Sequence, residues 1–172
     1  AKTSQKTVDK ARKECIEKYG AEPVVVCLSH AGTEKREGED YELAKAVDGI
    51  DVIISGHTHT TLDQPIEVNG TLIVSAAEYG RNLGVLKLTL KDGSVSLADY
   101  QLISVDETVS EDEEIADLVE YFKYKVEEEY LAKYGYTFDQ VLVNNPFEFE
   151  SVKEVYATQH ESTLGNLFSD AY

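Results

Sequence analysis

The sequence predicts an α/β fold whose pattern changes part-way along the chain. Two apolar runs without alternation, at residues 24–28 and 52–54, flank an acidic segment with helical spacing. That is the pattern of a βαβ unit, with parallel strands and a right-handed crossover. Beyond residue 60, alternating stretches punctuated by Asn69-Gly70 and Asp92-Gly93 read as antiparallel hairpins. The expected sheet is therefore mixed, or there are two sheets.

Residues 4–19 read as an amphipathic helix with Val8, Ala11, Cys15, Ile16 and Tyr19 on one face, closed by Gly20. Pro23 opens a strand through Val24, Val25, Val26, Cys27 and Leu28, whose unbroken apolar character predicts cover on both faces. Residues 40–48 form a second helix with Leu43, Ala44 and Val47 inward, stopped by Asp48-Gly49 before the strand Val52-Ile53-Ile54. A two-residue hairpin turns at Asn69-Gly70, and strands at 83–90 and 95–103 follow around Asp92-Gly93.

Ser110-Glu111-Asp112-Glu113 reads as a capping box. It opens a helix on the stripe Ile115, Leu118, Val119, Phe122, Val126, Tyr130 and Leu131, running to Tyr134 before Gly135. Such a helix spans about 36 Å and either joins two domains or packs on the surface of one. Residues 141–143 and 152–157 are short strand candidates around Pro146, and Leu164, Leu167, Phe168 and Ala171 give a last helix its apolar face. The sequence stops inside that helix, which predicts an internal piece of a longer protein.

Composition bounds the function. The 172 residues suffice for one domain or parts of two, with 42% hydrophobic content for a core. No window offers the roughly 20 apolar residues of a membrane span, and no secretory leader opens the chain. A net charge of −17 disfavours nucleic-acid polymers and anionic membranes. It also repels phosphate substrates unless metal ions reverse the local sign. Cys15 and Cys27 read as buried free thiols.

The chemistry gathers on His30, His57 and His59. His30 directly follows the first apolar run and its Ser29, and His57 and His59 follow the second through Ser55-Gly56. Parallel strands would bring all three imidazoles to one sheet edge, where open α/β sheets bind ligands. In an extended segment His57 and His59 would point the same way. Imidazole nitrogen suits zinc, manganese or iron, although a lone His-x-His also occurs as surface coincidence. A two-metal site needs bridging carboxylates. Asp40, Asp48, Asp51 and Asp63 lie nearby in sequence but lack a strand-end position, so the chain carries half a site.

Four stretches resemble the calcineurin-like metallophosphoesterases, and among them the 5′-nucleotidase and UDP-sugar hydrolase family. Leu28-Ser29-His30-Ala31-Gly32 resembles its L-S-H-x-G motif and Gly56-His57-Thr58-His59 its G-H-x-H motif. The segment Ala77-Glu78-Tyr79-Gly80-Arg81-Asn82-Leu83-Gly84, with Ala76 before it, is similar to A-x-x-Y-G-x-x-L-G, and Glu161-Ser162-Thr163-Leu164-Gly165-Asn166-Leu167 to E-x-x-L-G-N-L. His160 stands where relatives often carry an arginine.

The resemblance implies the C-terminal half of a four-layer α/β/β/α sandwich at residues 1–106, a linking helix at 107–137, and the start of a second α/β domain at 138–172. It implies two divalent ions (Zn, Mn or Fe), with His30 and His57 on one and His59 on the other. The D-x-H, G-D-x-x-D and G-N-H motifs, including the catalytic histidine, would precede Ala1, so no catalytic residue lies in these residues. It further implies a nucleotide or related phosphoester substrate and an extracellular, cell-surface or periplasmic location. UDP-sugar hydrolysis, 2′,3′-cyclic phosphodiesterase or thiosulfate-ester hydrolysis, and a non-catalytic binding or scaffold role, are the alternatives. The chain by itself is expected to be inactive, to bind metal weakly, and to need a missing N-terminal half or oligomerisation to cover exposed sheet.

Overall fold

The computed structural model describes residues 2–91, 93–157 and 161–172. They form two compact units, Ala1–Ser110 and Glu111–Tyr172. The first contains α1 (Lys2–Tyr19), β1 (Val26–Ser29), α2 (Glu39–Ala46), β2 (Val52–Ser55), β3 (Ile66–Val68), β4 (Thr71–Val74), β5 (Asn82–Lys91) and β6 (Ser94–Ser104).

Both expected forms of sheet occur. A four-stranded mixed sheet has the order β1-β2-β4-β3, and β5 and β6 make a separate antiparallel pair. β1 and β2 run parallel in the register Val26 to Val52 through Ser29 to Ser55. β4 is parallel to β2 and antiparallel to β3, so the hairpin is built into the βαβ sheet. Its turn has positive φ at both central residues, 51° at Asn69 and 75° at Gly70, as a type I′ turn requires. At the β5–β6 turn, Asp92 lies outside the described residues.

Alternation on β2 and β4 divides the core in two. Ile53 and Ile73 pack with Val8, Ala44, Val47, Ile50, Leu62 and Ile66 on the helical side. Val52 and Val74 pack with Tyr100 and with Leu86, Leu88 and Leu102 of the second sheet. The two central strands are thus covered on both faces over most of their length, which is why their sequences do not alternate, but Ile54 near the end of β2 is 46% exposed.

β1 departs from expectation. Leu28 is 79% exposed and Val26 is also exposed, because the β5–β6 pair packs over β2 and β4 and leaves the outer face of β1 open. α1 departs too: of its apolar residues only Val8 is buried, while Ile16 and Tyr19 are exposed. What fastens this helix is polar. Arg12 donates through Nε to the Gly49 carbonyl at 2.9 Å and through its terminal nitrogen to Asp51 at 2.7 Å. The Asp51 carboxylate also accepts the Val25 N–H at 2.7 Å, so one acid joins α1, the start of β1 and the start of β2. Cys15 and Cys27 are free thiols, but half-buried rather than buried.

The second unit contains α3 (Glu113–Glu129), a 3-10 turn (Leu131–Tyr134), α4 (Val152–Ala157) and α5 (Thr163–Ala171). The cap of α3 is Asp112, whose side chain accepts from the Ile115 N–H, so the helix starts inside the expected capping box. It gives way to the 3-10 turn after Glu129 and is shorter than the sequence suggests, and Gly135 closes it with φ 76°. Residues 141–143 form no strand, and residues 152–157 are a helix. The cause is local. Ser151 and Glu154 make a reciprocal capping box, with Ser151 N–H donating to the Glu154 carboxylate at 2.9 Å and Glu154 N–H donating to Ser151 Oγ at 3.3 Å. α5 is capped by Ser162, which accepts from Gly165 N–H at 3.0 Å.

Candidate functional site

β1 and β2 end together at Ser29 and Ser55, which are register partners. The loops that follow therefore leave the sheet side by side, and Gly56 N–H donates to the Ser29 carbonyl at 3.0 Å. The His30 and His57 rings meet edge to face, with centroids 5.2 Å apart and planes at 67°.

His59 does not join them. His57 and His59 both adopt left-handed backbone, with φ 72° and 54°, so the segment is not extended as the sequence suggests. The His59 ring lies instead against Tyr79, 5.4 Å between centroids at 62°. Tyr79 arrives from a tight turn with positive φ at Ala77, Tyr79 and Gly80. No sequence argument assigned it to the site, although it is the tyrosine of the A-x-x-Y-G segment.

The two histidine loops are tied together from above and below. Above, Thr58 Oγ1 donates to the Thr33 carbonyl at 2.9 Å and accepts the Thr33 N–H at 3.2 Å. Thr60 Oγ1 donates to the same carbonyl at 2.6 Å. Below, the Asp40 carboxylate is fully buried and accepts from Ser29 Oγ at 2.5 Å, Ser55 Oγ at 2.6 Å and Gly32 N–H at 3.0 Å. Asp40 thus does reach the strand ends, from the first turn of α2. It lies deep beneath them, with its oxygens engaged. Burial and then the nearby Asp40 charge push the Cys27 thiol above its ordinary pKa.

Among the described residues, no three His, Cys, Asp or Glu side chains are grouped so that they could hold a metal ion. The donor set tests the fit. Neutral imidazoles suit borderline divalent metals, and the His30 and His57 rings lie side by side, so that the pair could serve one ion. His59 offers a third nitrogen elsewhere, and Asp40 is spent on structure. The residues fit one side of a coordination shell. His160, the fourth histidine, lies outside the described residues.

No family model matches the chain. Among curated proteins, it is 34% identical over 174 residues to the trifunctional nucleotide phosphoesterase YfkN of Bacillus subtilis, covering 98% of this chain and 11% of that protein. It is 27% identical over 166 residues to a snake venom 5′-nucleotidase of Macrovipera lebetinus, covering 86% of this chain and 38% of that one. Among solved structures, the sulfate thiohydrolase SoxB of Thermus thermophilus superposes with a TM-score of 0.57 at 32% identity, over 71% of this chain and 20% of that one. The chain spans well under half the length of each.

Fold and relatives together define an α/β protein of the metallophosphoesterase class. Within that class, the chain belongs to the calcineurin-like phosphoesterases and 5′-nucleotidases. Such membership implies divalent metal ions. No helix among the described residues is long and apolar enough to cross a membrane.

Proposed function

We propose that these residues are the histidine-bearing wall of a two-metal phosphoester hydrolase acting on nucleotides. The observation that carries this reading is the division of the imidazoles: His30 and His57 lie together, while His59 stands apart against Tyr79. That supports one ion on His30 and His57 and a second on His59, each zinc, manganese or iron. When bound, such ions supply Lewis acidity at the phosphoryl oxygens and lower the pKa of a water at the site.

The chain's own contribution is to hold nitrogens in place. Gly56 leaves room for the His30 ring, the Thr58 and Thr60 hydroxyls fix one loop to the other, and Tyr79 limits where His59 can swing. The carboxylates that would complete the hold on the ions, and the group that would stabilise the transferring phosphoryl, would come from residues beyond these 172. The chain by itself therefore releases no phosphate and binds divalent ions weakly. Within the whole enzyme, residues 1–106 belong to the catalytic domain, 107–137 link it onward, and 138–172 begin a substrate-binding domain. The venom relatives support a place of action outside the cytoplasm.

A second reading rests on the likeness to the sulfate thiohydrolase: the same site cleaving a thiosulfate ester. A substrate panel separates the two. The whole protein, supplied with Mn²⁺ or Zn²⁺, is expected to release phosphate from nucleoside monophosphates, and His30→Ala or His59→Ala to lower kcat by at least about a hundredfold. Inactivity of the metal-supplied whole protein on nucleotides and sugar nucleotides would overturn the proposal.

A further inference from the structure

We propose that Asp40 is a positioning residue, whose buried carboxylate sets the separation of the His30 and His57 loops by holding the two strand ends from within. This rests on the proposed metal site, since its purpose is to present that pair of imidazoles.

A carboxylate is a costly way to fill an interior. Asp40 has no exposed surface, and no ion pair among the described residues reaches it. Taking such a group out of water is unfavourable unless donors replace the lost solvent. Here three do, and their identity is informative. Ser29 is the last residue of β1 and precedes His30; Ser55 is the last of β2 and stands one residue before Gly56-His57. Gly32 N–H, the third donor, closes the far side of the His30 loop.

One oxygen accepts from Ser29, and the other from Ser55 and Gly32. The carboxylate's own dimension therefore spans the two strand ends. An apolar residue would fill the space without directing either serine. An asparagine would keep one acceptor and turn an N–H₂ toward a donor. The Thr33–Thr58–Thr60 ties are independent of Asp40, so its replacement leaves the loops attached at their outer level. What changes is their spacing at the base, where the histidines emerge.

The test uses the 172-residue chain. In the unmodified chain, proton NMR is expected to show a cross-peak between the His30 and His57 imidazoles, in keeping with their 5.2 Å centroid separation. Asp40→Asn is expected to abolish it while the Ile53 and Ile73 methyl resonances stay in place. The paired substitution Ser29→Ala with Ser55→Ala, which keeps Asp40, is expected to do the same and covers the case in which Asp40→Asn fails to fold. The control is Thr71→Val, which removes a buried hydroxyl bonded to the Ile50 carbonyl at the opposite end of the sheet and should keep the cross-peak.

A second readout is Co²⁺ absorption titration, expected to show about tenfold weaker binding in the Asp40 and serine variants, the scale of outer-shell effects. A cross-peak intact in both sets of variants, or lost equally in Thr71→Val, overturns the proposal. If the unmodified chain takes up no Co²⁺ but the cross-peak behaves as expected, the positioning role stands, and the same titration on the whole protein decides the metal reading: no uptake there overturns it. If it binds Co²⁺ and the variants bind equally well, the positioning role fails and the metal reading stands.

Discussion

A β-carbon at Gly56 would lie 2.9 Å from Nδ1 of His30. The absence of a side chain at the end of one strand is thus what admits the imidazole carried by its neighbour. Gly56→Ala is expected to displace the ring rather than the backbone, since Gly56 does not need positive φ. The cost in stability should be small, about 1 kcal/mol or less. The His30–His57 NMR cross-peak should weaken sharply; an unchanged cross-peak would mean that the ring has other room.

Gly32 faces a harder constraint. Its φ is +97°, and a β-carbon there would meet Thr58 Cγ2 at 2.4 Å. Gly32→Ala should cost about 1–3 kcal/mol in urea unfolding, combining strained backbone with the clash. Thr58→Ser removes the clashing methyl but keeps the hydroxyl. In a double-mutant cycle it should recover at least about 0.5 kcal/mol of that loss. Strict additivity would show that the two loops do not press on each other.

The Arg12–Asp51 pair is half-buried at 2.7 Å and shares the guanidinium with the Gly49 carbonyl. Arg12→Ala should lower stability by about 1.5–3 kcal/mol, the range for hydrogen bonds to charged groups. Arg12→Lys should recover little, because a single ammonium cannot reach both acceptors with the planar fork's geometry. Recovery by lysine in chemical denaturation would reduce the interaction to simple charge.

Glu150 supplies a pH dependence. Its carboxylate accepts from Thr163 Oγ1 at 2.5 Å and from the Thr163 N–H at 3.0 Å, anchoring the start of α5 to a residue 13 positions earlier. The Thr163 hydroxyl first, and then backbone N–H groups, lower its pKa from 4.5 to about 2. A carboxylate with a depressed folded-state pKa stabilises the fold fully above its unfolded value and progressively less as pH falls. Hydrogen-exchange protection of α5 should therefore be level above about pH 5 and decline toward pH 2. Glu150→Gln should flatten that decline, and an unaltered profile would place its cause elsewhere.

Particular residues show how far sequence reasoning reached. Asn69-Gly70 was legible because a type I′ turn demands positive φ, which few residues accept. The double cover of Val52 and Ile53 was legible from lost alternation, but the same signal misled at Val26 and Leu28. An apolar run records that a strand can be buried, not whether a second sheet extends far enough to bury it. Residues 152–157, read as a short strand candidate, are a helix. The S-x-x-E pair Ser151 and Glu154 was the overlooked cue, and local capping prevailed where no partner strand was at hand.

The histidines themselves were legible, because strand-end placement is a local property. Their division was not. His57 and His59 were expected to point together, and positive φ at each sends them to different neighbours. Tyr79 reaches His59 from another turn, and Asp40 reaches Ser29 from 11 residues away and Ser55 from 15. Spacing along the chain carries no trace of such contacts.

The sequence by itself determined the parallel strands, the hairpin, the strand-end position of His30 and His57, and the family, because each depends on local backbone preference or on short motifs. Only the tertiary structure decided that Asp40, set aside in the sequence as remote from the strand ends, is a buried hub beneath them, that His59 stands apart, and that the outer face of β1 is open. The physical reason is the same in each case. Direction, burial and hydrogen-bond partnership are set by which elements meet across the fold, and neighbours in space need not be neighbours in sequence.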